Sequence, residues 1–242
     1  MRARSAVPSL VTICSLFCGF LSIFYSVNGK LVPAAWLIVI AGFMDAFDGK
    51  LARLFDTPSN FGGQFDSIVD ICSFGVSPAV LMLHYYANLG TVLWIPFSAC
   101  FLFLLCGSLR LARFNIQLKG FEKGNFTGLP IPSAAGALAA YVVFTQGVWS
   151  SEHELRVAIS LCAMLSFLMI STFEYEVFPK LSLETTKDRL KLLAMLSVIV
   201  IMVFYTDEFF FPLALGYALS GVARWLFNLV TDREVADIRN EL

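Results

Sequence analysis

Charge is scarce in this chain: Asp, Glu, Lys and Arg make up 14% of its 242 residues, against about 25% in a soluble domain. Histidine is scarcer still, with only His84 and His153, and the six cysteines (Cys14, Cys18, Cys72, Cys100, Cys106 and Cys162) form no CxxC pair. The first shortage excludes an ordinary soluble domain and leaves no basic surface for nucleic acid. The second leaves no ligand set for a zinc site or a dithiol redox centre. The cysteines all fall in apolar segments and read as small packing residues. No internal repeat, low-complexity tract or Pro-rich linker divides the sequence, so one domain over 1–242 is expected.

What is abundant is apolar length. Hydrophobic residues make up 58% of the chain and its mean hydropathy is +0.76. Crossing a bilayer core takes roughly 20 apolar residues in a helix. Cutting at charges, Gly and Asn gives eight candidate spans, at 9–27, 31–54, 65–88, 91–114, 128–148, 155–173, 189–206 and 209–230. Arg2 and Arg4 before an apolar run resemble a signal peptide, but Ser9 to Val27 holds no clear small-x-small cleavage site, and a retained first helix is expected. Open sheets leave edge N–H and C=O groups unpaired in lipid, and these runs are too long for barrel strands. The fold class is therefore an all-α polytopic membrane protein, a bundle of about eight transmembrane helices.

Basic residues orient it. With the N-terminus inside, all of the 17 Lys and Arg residues except Lys30 and Arg156 fall at inner ends or inner loops. That segregation favours an N-in, C-in, multi-pass protein of the cytoplasmic membrane. Trp94, Trp149 and the run Phe209-Phe210-Phe211 then suit an outer aromatic belt. His84 and His153 fall near the outer face and are assigned no role.

Against this background four carboxylates stand out: Asp45 and Asp48 at the inner end of span two, Asp66 and Asp70 at the start of span three. An unpaired Asp at a span centre costs about 2.5–3.5 kcal/mol, so something must compensate them. Their i,i+3 and i,i+4 spacings put each pair on one helical face, and a short connection lets the faces meet. Asp66, read as the start of its helix, is also explicable as a cap or by the helix dipole. Asp45 and Asp48 sit where the dipole is negative, and only salt bridges to Lys50 or Arg53 compete with a functional reading. Converging oxygen ligands without His or Cys point to Mg²⁺ or Mn²⁺.

The stretch Asp45-Ala-Phe-Asp48-Gly49-Lys-Leu-Ala52-Arg53, followed by Gly62, Asp66 and Asp70, resembles the signature of the CDP-alcohol phosphatidyltransferases at every position. Beyond it, Pro8-Ser-Leu-Val-Thr12, Phe17-Cys18-Gly19-Phe20, Ser73-Phe74-Gly75-Val76-Ser77-Pro78-Ala79, Arg110-Leu-Ala-Arg113-Phe114-Asn115 and Gly128-Leu-Pro130-Ile-Pro132-Ser-Ala-Ala-Gly136 resemble the branch of that family whose acceptor is L-serine. Asn is common in that branch where this chain has Ser9 and Ser15. The resemblance implies transfer of a phosphatidyl group from CDP-diacylglycerol to L-serine, a homodimer, and an active site facing the cytosol. It also implies two divalent ions held by Asp45, Asp48, Asp66 and Asp70, with Asp70 as base. Gly49, Ala52, Arg53 and Gly62 would contact the CDP-lipid; the small residues let a nucleotide approach the helix, and Arg53 suits a phosphate. Arg110 and Arg113, spaced i,i+3 on the same membrane side, are candidates for the acceptor carboxylate or a phosphate, with positive-inside anchoring as the alternative. Gly75, Pro78, Gly128, Pro130 and Pro132 are equally explicable as kinks or helix starts. A sister enzyme using glycerol phosphate or inositol phosphate would keep the same aspartates. A cation transporter would place them near the midplane of repeated halves.

The topology is testable by labelling. In a cysteine-free variant, a single cysteine in the 115–127 stretch should react with an impermeant thiol reagent only from the cytoplasmic side, and one at Ser151 only from the opposite side. Reaction of both from one face would mean the spans are miscounted.

Overall fold

A computed structural model describes residues 3–54, 60–90, 94–119, 128–148, 154–175 and 206–240. All regular elements among the described residues are helices: α1 (Ala3–Val27), α2 (Leu31–Leu54), α3 (Asn60–Asp70), a π-helical segment (Ile71–Val76), α4 (Ser77–Asn88), α5 (Trp94–Lys119), α6 (Ile131–Gly147), α7 (Glu154–Ile170) and α8 (Thr206–Asn240). The third span is thus one continuous rod made of α3, the π segment and α4. Among the described residues, five helical runs are long and apolar enough to cross a membrane: Leu10–Val27, Leu31–Asp48, Gly62–Asn88, Trp94–Ile116 and Asp207–Thr231. The 17-residue helices α6 and α7 reach about 25 Å. The expected span at 189–206 lies outside the described residues.

The bundle is built for lipid. Phe17, Phe20 and Phe24 on α1, Phe43 and Phe47 on α2, and Phe97 and Phe101 on α5 are exposed on the outer faces. Small polar side chains, by contrast, lie inside. Thr12, Ser15, Gly19, Ser22 and Ser26 form one buried stripe along α1, spaced three or four residues apart as the close approach of two helices requires. Ser15 donates to the Ala41 carbonyl and Ser22 to that of Ala34, which fastens α1 along α2. A Cβ at Gly19 would lie 2.8 Å from Ser73 Cα, so glycine is what lets the third span touch α1. Helix α6 is central: Ala137 through Val142 are buried without a break. Its alanines let neighbouring backbones close in, and Tyr85, Tyr86, Tyr141, Phe74 and Phe103 fill the remaining core.

Several expectations change here. Span three begins at Asn60 rather than 65, which places Asp66 well inside the helix and removes the capping explanation for it. Phe210 and Phe211 do not face lipid: Phe210 stacks on Trp36 at 5.9 Å and Phe211 meets Tyr141 edge-on at 5.3 Å, tying the start of α8 to α2 and α6. Phe209 and Trp94 are exposed, as a belt requires. Cys100, Cys106 and Cys162 are buried packing residues, whereas Cys14 lies on the outer surface of α1.

The prolines and glycines divide between kink and start. Pro78 has no N–H to continue the ladder, and the turn before it widens to a π-helix in which the Ser77 N–H bonds to the Cys72 carbonyl. Pro130 and Pro132 open α6. Gly128 has φ +85°, donates its N–H to the Phe173 carbonyl at 2.8 Å, and would place a Cβ 2.4 Å from the Met169 carbonyl oxygen. Gly128→Ala should therefore cost roughly 2 kcal/mol or more and lower the unfolding temperature in detergent. Gly136→Ala, in open space inside α6, should be neutral or stabilise by up to ~1 kcal/mol. Equal melting temperatures for the two variants would contradict this packing.

Candidate active site

The α2–α3 hairpin brings the signature carboxylates together. Carboxylate oxygens of Asp45, Asp66 and Asp70 all lie within 4.8 Å of one another. Two unit charges at that separation repel by roughly 3 kcal/mol even at an effective dielectric of about 20. Asp48 stands slightly apart, within electrostatic range of Asp45 and Asp66. It is 7% exposed, and one of its oxygens accepts a hydrogen bond from the Thr12 hydroxyl of α1. Its other oxygen, Oδ1, is buried without a hydrogen-bond partner, as is Oδ1 of Asp70. The salt-bridge alternative falls on Lys50 and Arg53, whose side chains lie outside the described residues.

These orphaned oxygens test the fit of a metal. A buried carboxylate oxygen without a partner is costly. An all-oxygen cluster of this size suits a hard divalent cation such as Mg²⁺ or Mn²⁺ better than zinc. The residues present therefore fit the ion that the signature implies. Gly62 lies one turn before Asp66 on α3 and is half-buried. Gly49, Ala52 and Arg53 continue α2 beyond Asp48; their surroundings lie outside the described residues.

Arg110 and Arg113 share a helix but part company. Arg110 is half-buried within electrostatic range of Asp70 and Tyr217, and its Nε is buried without a partner. Arg113 turns to the end of α7, donating to the carbonyls of Ile170 at 3.0 Å and Ser171 at 3.3 Å. Those carbonyls end a helix and have no intrahelical donor, so Arg113 acts as a brace between α5, α7 and the Gly128 turn. His84 bonds only to the Val80 carbonyl one turn back, away from the cluster.

The structure adds residues that spacing alone did not single out. Tyr217 of α8 is hydrogen-bonded to Ser133 of α6 and lies within electrostatic range of Arg110. Its ring sits 6.0 Å from that of Tyr175, whose hydroxyl donates to the Ala218 carbonyl. Asn115 donates to Ser67, one residue after Asp66, linking α5 to α3. Tyr217 and Ser133 are 84 residues apart in sequence, and no local pattern connects them. Thr12 carried a weak signal, as the last residue of the Pro8–Thr12 stretch that resembles the family.

The sequence model of the CDP-alcohol phosphatidyltransferases matches residues 5–171, more than half of the chain. The chain belongs to that family. Among similar members, the CDP-diacylglycerol–serine O-phosphatidyltransferase of Helicobacter pylori (strain ATCC 700392 / 26695) is 34% identical over 226 residues, 92% of each chain. The enzyme of the same name from Bacillus subtilis (strain 168) is 33% identical over 72% of this chain and 92% of its own. The archaetidylserine synthase of Methanothermobacter thermautotrophicus is 38% identical over 70% of this chain and 69% of its own. In a CDP-alcohol phosphatidyltransferase the DxxDG…D…D signature is thus found here on two helices facing each other, with three of its carboxylates in mutual contact range.

Mn²⁺ titration of the purified protein, followed by electron paramagnetic resonance, checks the cluster directly. Asp45→Asn, Asp66→Asn and Asp70→Asn should each weaken binding at least tenfold, because each removes a charge from a site of three. Unchanged affinity in all three variants would mean that the cluster holds no cation.

Proposed function

We propose that this protein transfers the phosphatidyl group of CDP-diacylglycerol to the hydroxyl of L-serine, giving phosphatidylserine and CMP. The observation that carries this reading is the placement of Arg110. A guanidinium with a buried, unpartnered Nε lies within electrostatic range of the signature's last carboxylate, where a cation for an amino-acid carboxylate is needed. The relatives support the same acceptor. The names of the bacterial and archaeal proteins differ in the lipid but agree on serine.

Asp45, Asp66 and Asp70, together with Asp48, would hold one or two Mg²⁺ or Mn²⁺ ions, whose charge would draw electron density from the pyrophosphate and stabilise the departing CMP. Asp70 accepts the proton of the serine hydroxyl as that oxygen bonds to the phosphorus and the bond to CMP breaks. No covalent intermediate with the protein is needed. A carboxylate of ordinary pKa near 3.9 is a weak base for an alcohol, so positioning supplies much of the rate. Arg110 fixes the serine carboxylate by charge-assisted hydrogen bonds, and the paired hydroxyls of Tyr217 and Ser133 complete that side of the pocket. Gly49, Ala52, Arg53 and Gly62, the remaining signature positions, would contact the CDP-lipid. The basic residues set this end of the bundle toward the cytosol, where serine and CDP reside, while the acyl chains remain in lipid.

Turnover should vanish in EDTA and return with Mg²⁺ or Mn²⁺; full activity in chelator would refute the scheme. Asp70→Asn should lower kcat far more than it raises the KM for CDP-diacylglycerol.

Arg110→Gln should raise the KM for serine roughly ten- to a hundredfold, from the loss of about 1.5–3 kcal/mol in charge-assisted bonding, and leave the KM for CDP-diacylglycerol nearly unchanged. Ethanolamine, which keeps the hydroxyl and amine but lacks the carboxylate, should be a poor acceptor. Wild-type use of ethanolamine as readily as serine would exclude carboxylate recognition, and an Arg110 effect confined to the lipid KM would assign that residue to the donor phosphates.

A further inference from the structure

The buried stripe of α1 holds three hydroxyls that reach out of the helix, and one of them differs from the others. Ser15 and Ser22 end on backbone carbonyls of α2, contacts that serve helix packing alone. Thr12, in the same stripe, instead donates to a side-chain carboxylate, Oδ2 of Asp48. The residue it grips is a signature acid, 7% exposed, whose remaining oxygen is buried and has no hydrogen-bond partner.

We infer that Thr12 is a positioning residue for the metal site, holding Asp48 so that it offers a cation one oxygen rather than two, and thereby favouring small ions over Ca²⁺. This rests on the reading that the aspartates bind a divalent metal. A carboxylate has two oxygens and can bind bidentately when both are available. A hydroxyl donating to Oδ2 occupies a lone pair there and fixes the plane of the group, leaving Oδ1 as the ligand. Mg²⁺ demands near-octahedral geometry at about 2.0–2.1 Å, which single-oxygen carboxylates satisfy, whereas Ca²⁺ takes more ligands at about 2.3–2.6 Å and readily uses bidentate ones. Partners of this outer kind typically change metal affinity by about 10–100-fold when removed. The donor is also well anchored. Thr12 is buried on a helix fastened to α2 by Ser15 and Ser22, and to the third span by Ser73, which donates to the Ser15 carbonyl at 3.2 Å, and by Ser77, which donates to that of Gly19 at 2.8 Å.

The test is Mn²⁺ titration of the full-length protein in detergent by electron paramagnetic resonance, followed by displacement with Ca²⁺. Thr12→Val keeps the shape and loses the hydroxyl. It should weaken Mn²⁺ binding about tenfold and lower the excess of Ca²⁺ needed to displace Mn²⁺, while the KM for serine at saturating metal stays unchanged. Thr12→Ser keeps the donor and should behave as wild type. Ser15→Ala, which removes a packing hydroxyl from the same stripe, should leave both metal readouts alone. If Thr12→Val does not fold, Thr12→Ala replaces it. Wild-type affinity and Ca²⁺ discrimination in the Val or Ala variant would overturn the inference. So would an equal loss in Thr12→Ser or in Ser15→Ala, since the effect would then be packing. A rise only in the KM for CDP-diacylglycerol would also overturn it, making Thr12 a donor contact. Absence of Mn²⁺ binding to the wild-type protein would instead refute the metal reading itself, and the inference with it.

Discussion

Mutual repulsion among carboxylates is the constraint around which this bundle is arranged. Three aspartates with oxygens inside 4.8 Å, and a fourth almost fully buried nearby, would drive their helices apart if nothing opposed them. Solvent cannot screen them well at this depth, and the described residues bring one guanidinium close, that of Arg110. Among the described residues one positive charge faces four acids. The helices are therefore held by contacts that do not depend on the charges, and the cluster of Asp45, Asp66 and Asp70 is one that could hold a metal ion.

Those charge-independent contacts are small and numerous. Lipid tails are as apolar as Leu, so burying apolar surface gives membrane helices little reason to associate, and close packing with interhelical hydrogen bonds takes its place. The α1 stripe meets this need through Ser15, Gly19 and Ser22, and the third span through Ser73 and Ser77. The π-helical turn at Ile71–Val76 lies immediately after Asp70 and carries Ser73 to its place against Gly19. A wider turn rotates the residues that follow it relative to those before. Hence one helix can aim Asp66 and Asp70 at α2 and still seat Ser73 and Ser77 on α1. Chemistry and packing meet in a single element, and the irregular turn reconciles their two registers.

How far the sequence disclosed this depends on the range of the interaction. Helix class follows from apolar length, and the pairing of Asp45 with Asp66 and Asp70 follows from helical spacing and a short hairpin; both are local properties. The start of the third span was misplaced because Asn60-Phe-Gly-Gly-Gln reads as a loop, although it continues the helix that carries Asp66. Arg110 and Arg113 looked equivalent because they share a face. Only the end of α7 separates them: its open carbonyls draw Arg113 away and leave Arg110 within electrostatic range of Asp70. The Phe209–Phe211 run was read as an aromatic belt because composition does not reveal that Trp36 and Tyr141 stand within ring contact of it. Tyr217 was beyond reach for the same reason, since it acquires meaning only from helices distant in sequence, whereas Ser133 lies in a stretch that carried the resemblance but with no role attached to it.

That distance bears on how one scaffold serves different alcohols. The family match ends at residue 171, and within it lie all four aspartates, Thr12, Arg110 and Ser133. The shared region thus carries both the signature acids and Arg110, the cation proposed above for the acceptor carboxylate. Tyr217 lies outside that region, on a helix that the similar Helicobacter pylori enzyme matches within its 92% coverage. It nevertheless reaches back to Ser133 and to the neighbourhood of Arg110. A side chain delivered from α8 can change without disturbing the α2–α3 hairpin, because the two have no common hydrogen bond among the described residues. If Tyr217 touches the acceptor, that contact is free to vary on α8 while the signature acids stay fixed. This division is what a catalyst needs if its metal chemistry is to remain constant while its alcohol does not.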